Sequence, residues 1–168
     1  MLWILPINYD FNLNKLQSMN YFLIHFFSRN KTIKNTDISM LSTEEAQFKV
    51  ETWIEKGLFI QIKNYTEQEK AKLFDGLDPT TEKFFKRHGC LRIASGIELI
   101  YEENKKWSEY VKGFLTIGHA DDWDIIQKPG EPYIYIVEGS ENSEREFELK
   151  FTSIYHLIVH EVLLAKLA

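Results

Sequence analysis

Between residues 84 and 167 the chain passes from a helix end through a series of short strands to a terminal helix with no linker, and this order constrains the fold more than any other feature. Up to Gly89 the apolar residues recur at helical spacing. Beyond it the period falls to two: Leu91 and Ile93, then Ile97, Leu99 and Tyr101, alternate with polar neighbours on either side of Ser95 and Gly96. Side chains two apart share a face of a strand, and those three or four apart share a face of a helix. The spacing therefore predicts two strands at a turn, or one bent strand. Residues 114–117 and 124–128 read as two more. The PGEP run then breaks the ladder, because Pro lacks an amide donor and Gly allows positive φ, and residues 133–138 pair back as a hairpin. After the polar GSENS turn, residues 144–151 form a last strand, and Thr152 or Ser153 caps a final helix that is apolar nearly all round. The expected architecture is α+β, an antiparallel sheet with helices packed on one side.

Upstream, local signals mark helix ends. Ser42 with Glu45, and Thr66 with Glu69, have the spacing of capping boxes, in which hydroxyl and carboxylate satisfy each other's orphan backbone donors. Phe48, Trp53 and Ile54 continue the first of these helices to a stop at Gly57, and the second runs to Phe74 with Gly76 past its end. Asp78 before Pro79 starts a third, since Asp caps and Pro tolerates the first helical position. Phe84 and Phe85 anchor it, and Gly89 ends it. Residues 58–63 read as a strand. Earlier still, Leu13, Leu16, Met19, Tyr21, Leu23, Ile24 and Phe27 suggest a helix over 13–27, and 30–40 a polar loop. Residues 1–18 are apolar and broken by Pro6, and Met19 is an alternative start. The division expected is a helical extension over 1–57 and an α+β domain over 58–168, together one compact unit.

Composition narrows the function classes. With 168 residues, 44% hydrophobic and 14% aromatic, the chain is long enough to bury a substantial core. Its formal net charge of −5 argues against a general phosphate-binding surface and points to a basic partner rather than nucleic acid. The single cysteine, Cys90, excludes an internal disulfide and a cysteine zinc cage, fits a reducing compartment, and reads as a small buried hydrophobe. No apolar run approaches the ~20 residues of a membrane span, and no Lys or Arg precedes the first apolar run as in a signal peptide, so the expected location is the cytoplasm.

No catalytic signature emerges. His156 and His160 lie four apart, a spacing at which two imidazoles can meet one metal, but Leu157 stands where a zinc protease carries its Glu. A partly exposed polar strip on a buried helix is the favoured reading. His119 with Asp121, Asp122 and Asp124 could bind a hard cation or do acid–base work, yet lacks the glycine and the terminal Glu of a calcium loop, and reads as a solvated acidic turn. Neither a nucleophile elbow nor a phosphate-cradling glycine loop is present. Lys83, Lys86 and Arg87 complement a helix C-terminus. No cofactor and no metal is expected.

Read as a series, FFKRHG, GFLTIG, the acidic turn, IIQKPGEPYIYIVE and FTSIYHLIVHEVL resemble the SUKH superfamily over residues 65–168. Phe84, Phe85 and Gly89 match its helix stop before the sheet, residues 114–118 its strand closing on an Ile-Gly step, and 153–157 its terminal helix. Tyr155 and Leu157 stand where the family prefers phenylalanines, and residues before Gly57 have no family counterpart. The resemblance implies a SUKH-like fold and a non-enzymatic binding module: an immunity protein that neutralises a polymorphic toxin by direct contact, or a regulatory or scaffold protein of the same fold. A small metal-dependent hydrolase built on His119 and the nearby aspartates is the third reading. A nuclease toxin holds phosphates with Lys and Arg, so an acidic, aromatic-bearing inhibitor suits its site. The expected partner-binding residues are Trp107, Trp123, Tyr133 and Tyr135 as anchors and Glu102, Glu103, Asp121, Asp122 and Asp124 as charge.

Overall fold

The computed structural model describes residues 41–93, 96–102, 108, 111–120, 123–138 and 149–167. The expected helix over 13–27, the loop over 30–40 and the first half of the strand expected over 144–151 lie outside them.

Local capping chemistry starts the helices where the sequence places it. Ser42 accepts from the Glu45 amide at 3.1 Å while Glu45 accepts from the Ser42 amide at 2.8 Å, which opens α1 (Thr43–Glu55). Thr66 and Glu69 close the same box on α2 (Glu67–Lys72), which ends two residues before Phe74. There Lys63 reaches the Glu69 carboxylate at 2.6 Å and, with the Thr66 cap, holds it at a pKa of about 2. Asp78 accepts from the amides of Thr80 and Thr81 at the start of α3 (Pro79–His88). Ser153 does the same for His156 at 3.4 Å, opening α4 (Ile154–Leu167).

The strands are β1 (Ile60–Lys63), β2 (Cys90–Arg92), β3 (Glu98–Leu99), β4 (Leu115–Ala120), β5 (Trp123–Gln127), β6 (Ile134–Glu138) and β7 (Leu149–Phe151). They form one antiparallel sheet in chain order, β1 to β7. β4 runs three residues further than the apolar pattern suggested, through Gly118, His119 and Ala120. Two irregularities interrupt the pleat, one between Gln61 and Lys63 and one between Thr116 and Gly118. At the first, the Gln61 amide donates to the carbonyls of Lys63, His88 and Cys90 at 2.9, 2.8 and 3.1 Å, which pins β1 to the end of α3.

One large cluster joins Ala46 and Val50 of α1, Phe84 and Phe85 of α3, and Ile154, Leu157, Ile158 and Val162 of α4 to Leu91, Leu99, Leu115, Ile117, Ile125, Ile134 and Ile136 of the sheet. The fold is α+β with the helices on one face of the sheet. Polar groups tie its layers together. Gln127, fully buried on β5, donates to the Thr81 hydroxyl at 3.1 Å and accepts from the Asp78 amide at 3.3 Å. Tyr65 donates to the Tyr101 carbonyl at 2.8 Å and lies 3.0 Å from the Cys90 sulfur. Cys90 is fully buried, and burial pushes its thiol pKa up, so it packs as a small hydrophobe.

His156 and His160 depart from the expected partly exposed strip. Both are buried, at 4% and 7% exposure. His156 Nδ1 meets the Ser153 hydroxyl at 2.8 Å and its Nε2 the Leu41 carbonyl at 3.0 Å, whereas His160 Nδ1 lies 2.9 Å from the Glu161 carboxylate. Both ring nitrogens of His156 and Nδ1 of His160 are thus engaged in separate contacts.

Candidate functional site

Cross-strand partners in an antiparallel sheet project to the same face. Ile60 pairs with Arg92, Arg92 with Glu98, Glu98 with His119, His119 with Asp124, and Asp124 with Val137. A single row thus crosses six strands on the face away from the helices, apolar at both ends and charged or ionisable in between. Along it the Arg92 guanidinium pairs with Glu98, donating from Nε at 2.6 Å. Glu98 also approaches His119 Nε2 at 3.6 Å, and Asp124 accepts from the Ser108 hydroxyl at 3.1 Å. The side chains of Arg92 and His119 are 44% and 49% exposed against 21% for Glu98, so the carboxylate is sunk between two accessible bases.

Gly118 is what allows the row to close up. A Cβ there would stand 2.5 Å from the Glu98 carbonyl oxygen and 3.2 Å from the Leu99 Cα, so only glycine lets β3 come this near to β4. The Ile-Gly step noticed in the sequence therefore positions Glu98 beside His119.

The neighbouring row is Thr116, Ile126, Tyr135 and Lys150. Ile126, Tyr135 and Val137 form a second, smaller cluster on this face, covered in part by Val111, Phe114 and Tyr133. Phe114 meets the Tyr135 ring edge-on at 5.9 Å between centroids, and the Lys150 ammonium sits 3.7 Å from the centre of the Tyr133 ring. Such a contact fixes an aromatic plane while leaving its edge available.

The structure divides the residues expected to bind a partner. Asp124 and Tyr133 are half-buried and belong to this outer face. Tyr135, also expected as an anchor, is only 8% exposed and lies in the cluster beneath Tyr133 and Phe114. Trp123 packs half-buried against the main core, on the helix side of the sheet, one residue and one face away from Asp124. Glu102 is half-buried beyond Tyr101. Glu103, Trp107, Asp121 and Asp122 lie outside the described residues. Arg92, Glu98 and Lys150 were missed because nothing local distinguishes them. Arg92 and Glu98 become neighbours, and Lys150 comes over Tyr133, only through strand register, and the Arg-x-x-x-x-x-Glu spacing across Gly96 was the one available hint.

Chemically the row is a rigid alternation of base, acid, base and acid beside an aromatic step. Among the described residues no group of three or more His, Cys, Asp or Glu side chains is placed to hold a metal ion, and no helix is long and apolar enough to cross a membrane. Comparisons of the chain with protein-family models, with curated proteins and with solved structures return no match.

Proposed function

We propose that this protein is a cytoplasmic, non-enzymatic binding protein of the immunity type, which neutralises a cognate nuclease toxin by occupying its basic surface. The observation that carries the reading is the Arg92, Glu98, His119, Asp124 row beside Tyr133. A sheet holds these groups in place before any partner arrives, so little ordering entropy opposes binding, and the fixed placement of the Glu98 and Asp124 carboxylates beside Arg92 and His119 gives specificity more than bulk attraction. The net charge of −5 adds steering towards a Lys- and Arg-rich surface. The α+β fold and the sequence resemblance to the SUKH superfamily support the same class. A regulatory or scaffold protein using this face for another partner is the alternative.

The test is a binding titration against the toxin encoded beside the gene, at low and high salt, with a thermal melt of each variant. Tyr133→Ala should weaken binding about 30-fold, corresponding to a hot-spot loss of about 2 kcal/mol. Replacing Asp121, Asp122 and Asp124 with Lys should weaken it at low salt and less at high salt, because exposed charges are screened beyond about 8–10 Å. Folded variants that bind as wild type would remove this face from the reading. A toxin left unbound by wild type would remove the immunity function itself and leave the scaffold alternative.

A further inference from the structure

Among the described residues the large apolar side chains left exposed are Phe48, Leu58, Ile60 and Ile62, and all but Phe48 fall within residues 58–62. That stretch runs into β1, where every residue over 60–63 is exposed. β1 is also the first strand of the sheet and pairs, among the described strands, with β2 alone, so its outer edge carries backbone donors and acceptors that the ladder does not use. An edge of this kind recruits another extended chain, because a strand satisfies its backbone groups and covers its side chains at once.

We infer that the occupant is β1 of a second copy of this chain, paired antiparallel about a two-fold axis. Charge selects it. Residues 57–62 (GLFIQI) carry no charged side chain, and Lys63 beside them is held by the Glu69 carboxylate at 2.6 Å. A strongly basic or acidic partner finds no countercharge along this edge, and its own charges would lose hydration without compensation. The complementary edge must be neutral and apolar, which is what β1 itself presents. For a chain of net charge −5 the gap matters again, since two copies repel across acidic surfaces and meet here without one. The pattern fits as well: a two-fold turn about Gln61 sets Ile60 of each copy opposite Ile62 of the other, and such β-branched cross-strand pairs are favourable. The pairing consumes the same edge in both copies, so it closes at a dimer. It is also weak. Lys63 and the irregularity before it confine the contact to residues 58–62, against the ~20–30 residues a side of a standard interface, which puts Kd on the order of 100 µM. Asp124 lies four strands away on β5, so the inference is independent of the proposed function.

Sedimentation equilibrium of the full chain, from about 10 µM to about 1 mM so as to bracket that Kd, tests it. The mass should rise from that of one chain towards that of two and stop there. Ile60→Lys and Ile62→Lys sit at exposed positions, so each should melt near wild type while weakening association at least ~10-fold. Phe48→Lys, which removes the exposed ring of α1, should leave association unchanged. In hydrogen exchange the amides of β1 should slow as concentration rises, whereas those of β7 should not. A chain that stays monomeric at the highest concentration would overturn the proposal. So would folded Ile60→Lys and Ile62→Lys variants that associate like wild type, loss of association in Phe48→Lys alone, or growth past a dimer.

Discussion

Gly89 is the residue whose replacement should cost most for the fewest atoms added. It sits at φ +66° and ψ −149°, a region that only glycine occupies readily, and a Cβ there would lie 2.2 Å from the Lys63 carbonyl oxygen, 3.0 Å from the Gln61 amide nitrogen and 3.1 Å from the Asn64 side-chain oxygen. Relieving the first contact means moving β1 by about 1 Å, judged against ordinary van der Waals contact near 3.4 Å. Such a shift disturbs the bonds from Gln61 to the Lys63, His88 and Cys90 carbonyls. The backbone strain amounts to about 1–3 kcal/mol and the loss of one or two hydrogen bonds to about 1 kcal/mol each, so Gly89→Ala should destabilise by roughly 3–4 kcal/mol. For a chain of this size that lowers the melting temperature by about 10 °C. Gly57 supplies the control, because it shares the positive φ, at +69°, but has nothing within 4 Å of the added carbon. Gly57→Ala should therefore cost only about 1 kcal/mol. Thermal melts of the two variants and wild type decide the matter. If Gly89→Ala melts within 2 °C (about 1 kcal/mol) of Gly57→Ala, the close approach of β1 to the end of α3 is not what makes glycine necessary.

Two further predictions concern buried polar groups. Gln127→Leu should lower stability by about 2–4 kcal/mol, since it orphans the Asp78 amide and the Thr81 hydroxyl in a closed interior; a chemical-denaturation midpoint unchanged from wild type would refute it. His88 has its pKa lowered, first by burial and then by the neighbouring Arg87. The unfolded chain therefore takes up the proton before the folded one as pH falls, so the stability His88 contributes is present above about 6.5 and is lost from there down to its lowered folded pKa. Melts at pH 7.5 and 5.5 should show a smaller acid-induced drop in His88→Leu than in wild type, the difference reaching at most about 1.4 kcal/mol per pH unit. Equal drops would show that His88 is not the group responsible.

What could be read from the sequence was what local chemistry decides. Ser42 with Glu45, Thr66 with Glu69, and Asp78 with Pro79 start helices because each pair satisfies backbone donors within one turn. The turn at Gly96 and the hairpin across PGEP followed from the same kind of short-range rule. Faces were harder. Period-two alternation relates neighbours along one strand but says nothing of how strands shift against each other, and the irregularity between Thr116 and Gly118 resets that relation inside β4. Trp123 was read with the acidic turn ahead of a strand over 124–128, whereas β5 begins at Trp123, so its side chain and that of Asp124 point to opposite sides of the sheet. Tyr133 and Tyr135 do share a face, yet differ in exposure because Phe114, from a distant stretch of chain, lies over the second. His156 and His160 were read as a partly exposed strip although their helix is apolar nearly all round, since two imidazoles at helical spacing look alike on a wet face and a dry one.

The order of the strands bears on how the protein comes off the ribosome. Each strand pairs with the one made just before it, so the sheet can assemble during synthesis without waiting for distant partners. The helix side cannot be sealed so early. Tyr155, Leu157, Ile158 and Val162 belong to α4, made after every strand of the sheet, and they join the apolar faces of Ala46 and Val50 to the sheet. Until those residues have left the exit tunnel, the nascent chain presents Leu115, Ile117, Ile125, Ile134 and Ile136 to solvent as one continuous apolar surface. A message broken or a ribosome stalled before α4 is made would thus release a product with a formed sheet and no lid, the kind of species that chaperones retain and proteases remove.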